Sequence, residues 1–306
     1  MRRLLFVLVA VCTFVLPLFA NNYTIRLATT MAMYCVLALS WNFIGGFTGY
    51  PSFATAAFFG LGAYSGAISQ VQGIPMYIAW TFGSFIAAVF AALIGPAILH
   101  LKGHYFAIAS LVAVEVLREV ANTSTKITGG GMGLTLPILR LDPGALAKFF
   151  YYPMLILAML SVTATYYVSR SSLGFGLRCI KQNEDAANMV GINTTMFKTT
   201  AFVLSSIFAG YAGAIYASWV NYIEPGDVFD ILLSLKPIVM VMLGSAGTVV
   251  GPVVGSFVLL IIEEVVWRNF LTFHAGALGI LVIILTLYLP EGLLSFSLRR
   301  FWKGRR

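Results

Sequence analysis

Apolar residues fall along this chain in blocks, each about as long as a helix that crosses the hydrocarbon core of a bilayer. Ten such segments can be drawn, at 4–20, 27–44, 52–70, 75–98, 104–119, 149–169, 197–220, 231–248, 252–267 and 275–294. A span needs about 20 mostly apolar residues, and a helix satisfies its own backbone hydrogen bonds in lipid. The strands of an outer-membrane barrel would alternate polar and apolar residues, and the stretches 202–208 and 280–285 do not alternate. The pattern predicts an all-α, polytopic integral membrane protein with about ten transmembrane helices, or as few as eight. Segment 104–119 is the ambiguous one. It is short, closes on Glu115, Arg118 and Glu119, and can either span or lie in the interface.

Within the blocks, small residues recur one helical turn apart: Gly62 and Gly66, Ala209 and Gly213, then Gly247, Gly251 and Gly255. Such faces let membrane helices approach closely. Packing is the plain reading; lining or gating a pathway is the functional one.

Composition supports the same class. Hydrophobic residues make up 59% of the chain and charged residues 10%, against about 25% charged in a soluble domain. No Lys, Arg, Asp or Glu occurs between Arg26 and Lys102. Residues 1–306 read as a single membrane-embedded domain with a basic tail at 297–306. The formal charge of +8 does not point to nucleic acid, because no segment is long enough to fold into a soluble basic face. Basic residues flanking spans report the cytoplasmic side. Ten spans with a cytoplasmic start put Arg2, Arg3, Lys102, Arg170, Arg178, Lys181, Lys198 and the basic tail inside. Only Arg26, Arg118, Lys126, Arg140, Lys148 and Arg268 then lie outside. Both termini are expected in the cytoplasm. Residues 1–20 resemble a signal peptide, but Leu18 occupies a position that cleavage requires to be small, so an uncleaved first span is expected.

Catalytic chemistry is hard to find. Cys12, Cys35 and Cys179 lie far apart, without disulfide or metal spacing. His100 and His104 lack the intervening Glu of a zinc-hydrolase helix, and His274 stands alone. The glycine-rich run 128–133 lacks the Gly-Lys-Ser/Thr ending of a nucleotide loop and reads as a flexible extracytoplasmic loop. Charges near or within the spans often mark transport paths. Here they are Glu115, Arg118, Glu119, Lys236, Glu263 and Glu264, and a structural role near the interface suits each better than a proton relay. No catalytic residue, metal site or cofactor site is expected on this chain.

The informative segment is 170–198. It reads as one short amphipathic helix over about 174–191, with Leu177, Ile180, Ala187 and Val190 forming an apolar stripe. Gly191 suits the left-handed residue that ends a helix. The stripe has no core of its own and needs either a membrane surface or a groove on a partner.

Gly174, Arg178, Glu184, Asp185, Ala186, Ala187 and Gly191 stand in a run that resembles the cytoplasmic coupling loop of branched-chain amino acid ABC importer permeases, most closely the LivM type. Asp185-Ala186-Ala187-x-x-x-Gly191 is similar to the broader Glu-Ala-Ala-x-x-x-Gly importer motif, with Asp for Glu. The later Ile-x-Leu-Pro of the maltose-type class is absent. Stretches 39–49 (with Asn42, Gly45 and Gly49), 56–64 (with Gly60), 102–108, 128–134, 208–216, 241–252 (with Gly244, Gly247 and Gly251) and 290–294 agree with the same pattern.

The resemblance implies one permease subunit of a bacterial inner-membrane importer for branched-chain or other hydrophobic amino acids. Its partners would be two ATPase subunits carrying ATP and Mg, a homologous second permease or a second copy, a periplasmic substrate-binding protein, and membrane lipid. The seven loop residues would couple to the ATPase, while Asn42, Gly45, Gly49, Gly60, Gly244, Gly247 and Gly251 are candidates for the pathway or its gate. Similar permeases carry urea or short amides. A secondary transporter coupled to ions through Lys236, Glu263 or Glu264 is the competing reading.

Overall fold

The computed structural model describes residues 13–139 and 141–269, with side chains to 266. Helix α1 (Asn22–Trp41) continues into a five-residue π segment, Asn42–Gly46. It is followed by α2 (Thr55–Val71), α3 (Met76–Ile98) and α4 (His104–Thr123). Strand β1 (Leu134–Thr135) precedes α5 (Pro143–Arg170), α6 (Ser172–Gln182), α7 (Glu184–Met189) and α8 (Thr194–Val220). Strand β2 (Tyr222–Ile223), α9 (Leu232–Gly244) and α10 (Val250–Asn269) complete the described chain.

Eight of the ten apolar segments coincide with α1 to α5 and α8 to α10. Segment 275–294 and most of 4–20 lie outside the described residues. The span count of about ten is not confirmed. Among the described residues, four helices are long and apolar enough to cross a membrane: Asn22–Gly46, Met76–Ile98, Pro143–Arg170 and Thr194–Val220. Segment 231–248 was expected to span, but its helix has 13 residues, or about 20 Å at 1.5 Å per residue. The chain leaves the helix after Gly244, where Ser245 takes a φ of 121°.

Close helix contacts explain the small-residue faces. Helix α8 lies against both α2 and α3. A Cβ on Gly62 would sit 2.0 Å from Gly210 O, and one on Gly213 would sit 2.0 Å from Phe59 O. Between α9 and α10, a Cβ on Gly255 would meet Met240 O at 1.8 Å. These glycines are where backbone touches backbone, as expected when small residues replace bulk at membrane-helix contacts. Polar bonds also cross the same group: Trp80 Nε1 and Gln70 Nε2 both donate to Ser218 Oγ, at 2.8 and 2.9 Å.

The loop at 128–133 is more ordered than expected. Thr128 Oγ1 accepts from Gly130 N, and the following strand pairs Leu134 with Ile223. Glu115 and Arg118 pair at 3.4 Å on an exposed face of α4.

Candidate functional site

The 170–198 segment forms two helices, which corrects the expectation of one helix over 174–191. The break is Asn183. Its backbone is extended, at φ −162° and ψ 112°, and its side chain accepts from Ala186 N at 3.0 Å. Asn is a favoured N-cap, and Glu184 and Asp185 then fall in the first turn of α7, where carboxylates suit the helix dipole. Local capping outweighs the continuity of the stripe.

Ser171 caps α6 in the same way, accepting from Gly174 N at 3.3 Å, and Asn193 caps α8 through Met196 N at 3.0 Å. Helix α7 ends on Gly191 at φ +88°. Gly191 N donates to Asn188 O, and Ile192 N donates to Ala187 O, each at 3.0 Å. That pair of bonds is a Schellman motif, whose left-handed position favours glycine.

The stripe is not left without a core, as the sequence suggested. Leu177, Ile180 and Ala187 are buried against the bundle's own residues. Val190 points away from them and is 77% exposed, beside Met189 at 88%. The apolar surface offered outward is therefore Met189, Val190 and Phe175.

Glu184 and Lys198 fasten this loop to the bundle. Lys198 Nζ donates to Glu184 Oε1 at 2.6 Å, to Leu99 O at 2.6 Å and to Tyr50 OH at 3.2 Å. The two side chains are 3% and 15% exposed. Tyr50 in turn donates to Glu184 Oε2. The Glu184 carboxylate thus ties α7 to the start of α8 and to the chain just after α1, and Lys198 extends the tie to Leu99 O at the end of α3. Burial works to raise the pKa of Glu184, but the hydrogen bonds from Lys198 and Tyr50 and the lysine charge prevail, holding it below its ordinary value. Burial, followed by its bond to Glu184, pushes the Tyr50 phenol up, so it stays a donor.

The other predicted loop residues have simpler places. Asp185 makes an exposed ion pair with Lys102 at 2.9 Å. Arg178 donates to Ser169 O at the end of α5, and Ala186 is exposed. A Cβ on Gly174 would strike Val168 O at 2.1 Å, so Gly174 permits the tight α5–α6 corner.

Four of the seven pathway or gating candidates come together. Asn42, fully buried, accepts from Gly247 N and donates to Thr248 O, both at 2.9 Å. Gly244 packs on Gly251, where a Cβ would lie 1.8 Å from the Gly251 carbonyl oxygen. Gly49 packs on the Lys181 stem, Gly45 on the Trp41 ring, and Gly60 on the Phe229 ring at a separate place.

Tyr50, Lys198 and Lys181 escaped the sequence reading of the site. Lys181 and Lys198 registered there only as cytoplasmic charges, and nothing local marks Tyr50. Lys236 pairs with Glu263 at 2.6 Å on the neighbouring helix. No cluster of His, Cys, Asp or Glu among the described residues could hold a metal ion.

A family model described as the permease component of branched-chain amino acid transport systems matches residues 23–289. The permease protein LivM of the high-affinity branched-chain amino acid transport system of Escherichia coli (strain K12) is 26% identical over 323 aligned positions, covering 97% of this chain and 76% of that protein. LivM of Salmonella typhimurium is 26% identical, covering 92% of this chain and 72% of its own length. LivH of Salmonella typhimurium is 22% identical, covering 87% and 92%. No solved structure matches.

Proposed function

The chain belongs to the family of branched-chain amino acid transport system permease components, and from that premise we propose that it carries branched-chain amino acids into the cytoplasm as one membrane subunit of an ABC importer. The match along most of its length to LivM proteins carries this reading. Two ATPase subunits supply the work and hold ATP and Mg. A second permease completes the path, and a periplasmic binding protein delivers the substrate. About ten helices span the inner membrane, with both termini and the 171–193 loop in the cytoplasm, consistent with the clustering of basic residues there.

In this reading the loop is the ATPase docking element. Three side-chain caps hold its helices, the buried Glu184–Lys198 pair fastens it to the bundle, and Met189 and Val190 present an apolar edge to the partner. Nucleotide-driven motion of the ATPase then reaches α3 and α8 through a stiff connection. Selectivity resides mainly in the binding protein, so a permease tolerant of urea or short amides is the alternative within the same mechanism. The ion-coupled alternative would use Lys236 and Glu263, but each already compensates the other.

The test is to co-express the chain with its ATPase, second permease and binding protein, and reconstitute the complex in proteoliposomes. Leucine, isoleucine and valine should accumulate only with ATP and the binding protein. Uptake by this chain alone, driven by a proton or sodium gradient, would overturn the proposal.

A further inference from the structure

After the π segment the helix runs on through Phe47 and Thr48, where Gly49 N still donates to Gly45 O at 3.1 Å, and it ends at Gly49 (φ +76°) with the Gly46 carbonyl left over. In a continuing α-helix the Tyr50 amide would donate to Gly46 O. Here it turns to Thr48 Oγ1 at 3.3 Å, and Gly46 O receives Lys181 Nζ at 2.9 Å. Lys181 lies near the end of α6. Lys181 is itself exposed, and its ammonium reaches from the loop to the Gly46 carbonyl of the bundle.

The Gly46 carbonyl also faces the turn between α9 and α10. Gly247 there has a φ of +79°, and a Cβ on it would lie 2.9 Å from Gly46 O and 3.8 Å from Lys181 Nζ. On the π segment's first residue, Asn42 grips the same turn with both ends of its amide. These bonds form a contiguous path: from Lys181, through the end of α1, to the turn joining α9 and α10. Removing one partner of a buried amide leaves the other unsatisfied, so the junction favours a discrete arrangement over gradual slippage. π segments within α-helices are frequent at functional sites, and this one lies where the loop touches the bundle.

We propose that Lys181 is a positioning residue for transport: by holding Gly46 O it clamps the π segment against the 245–249 turn, and displacement of the loop by the ATPase shifts that clamp and moves α1 relative to α9 and α10. The inference rests on the importer reading above. A lysine that only capped α1 would stabilise the fold and leave the amount of substrate imported per ATP unchanged. A clamp sets that ratio.

The test compares wild type, Lys181→Met, Lys181→Arg and Asn42→Ala in the full reconstituted importer, with leucine import and ATP hydrolysis measured on the same vesicles. Lys181→Met keeps the stem and removes the donor, Lys181→Arg restores a donor, and Asn42→Ala opens the junction from its other side. The expected result is that Lys181→Met and Asn42→Ala assemble and hydrolyse ATP, while import per ATP falls about tenfold. Lys181→Arg should recover most of that loss. A wild-type ratio in Lys181→Met overturns the clamp, and so does its failure to assemble, since Lys181 would then merely hold the fold together. A wild-type complex that imports leucine without ATP hydrolysis would instead overturn the importer reading itself, and the clamp with it.

Discussion

At the scale of single residues, the Lys198 ammonium has three acceptors, and removing the carboxylate leaves only a carbonyl and a phenol. Breaking a buried pair from one side costs about 3 kcal/mol or more. We expect Glu184→Gln to cost about 3 kcal/mol, the low end, because Leu99 O and Tyr50 still receive the lysine. The double variant Glu184→Gln/Lys198→Met should lose less than the sum of the two single losses, as thermal unfolding in detergent would reveal. The pH dependence follows from the same bonds. The folded pKa of Glu184 lies below its ordinary value, so its contribution is fully present above the unfolded pKa, near 4.5. It is lost as pH falls through the folded value. Wild type should therefore lose stability on acidification below pH 4.5 more steeply than Glu184→Gln, and a stability difference that persists unchanged at low pH would contradict this. Lys198 could be counted as a cytoplasmic charge from the sequence, but its burial could not be read there. That burial is made by Leu99 and Tyr50, which are distant in the chain.

At the scale of elements, the end of α7 separates conformational cost from contact cost. A Cβ on Gly191 would meet nothing within 4 Å, so Gly191→Val costs only the strain of a left-handed backbone, about 1–2 kcal/mol. We expect a correspondingly small drop in melting temperature for the isolated permease. A larger loss would mean that the residue is packed in the isolated chain. Gly191 was legible because a glycine closing a polar-apolar run has one common structural use. The break at Asn183 was legible in principle too, since Asn followed by two acidic residues is an N-cap pattern. It competed with the spacing of Leu177, Ile180, Ala187 and Val190, which suggested a single stripe. The three-dimensional path decides between them: the first three turn inward and Val190 turns out. Helices α1 to α5, α8 and α10 were visible as apolar blocks. The early end of α9 was not, because the small residues Ser245, Ala246 and Gly247 that follow Gly244 suit a closely packed helix as well as a turn.

At the scale of the whole molecule, the described helices form a bundle in which one buried ion pair and one lysine-to-carbonyl bond connect an exposed loop to the interior. The loop's fixed inner face and exposed outer edge are what a docking element needs: stiffness behind and apolar surface in front. In the stretches that carry the family resemblance, Gly62, Gly213 and Gly244 are places where backbone touches backbone. The junction of Asn42 with the 245–249 turn joins positions some 205 residues apart, and only the fold brings them together. In an importer this edge meets an ATPase. A photoreactive phenylalanine analogue in place of Val190, in cells expressing the whole importer, tests it most directly. A covalent adduct with the ATPase subunit is expected, while the same probe at exposed Leu93 of α3 gives none. Adducts from position 190 with lipid or the periplasmic binding protein, and none with the ATPase, would contradict it.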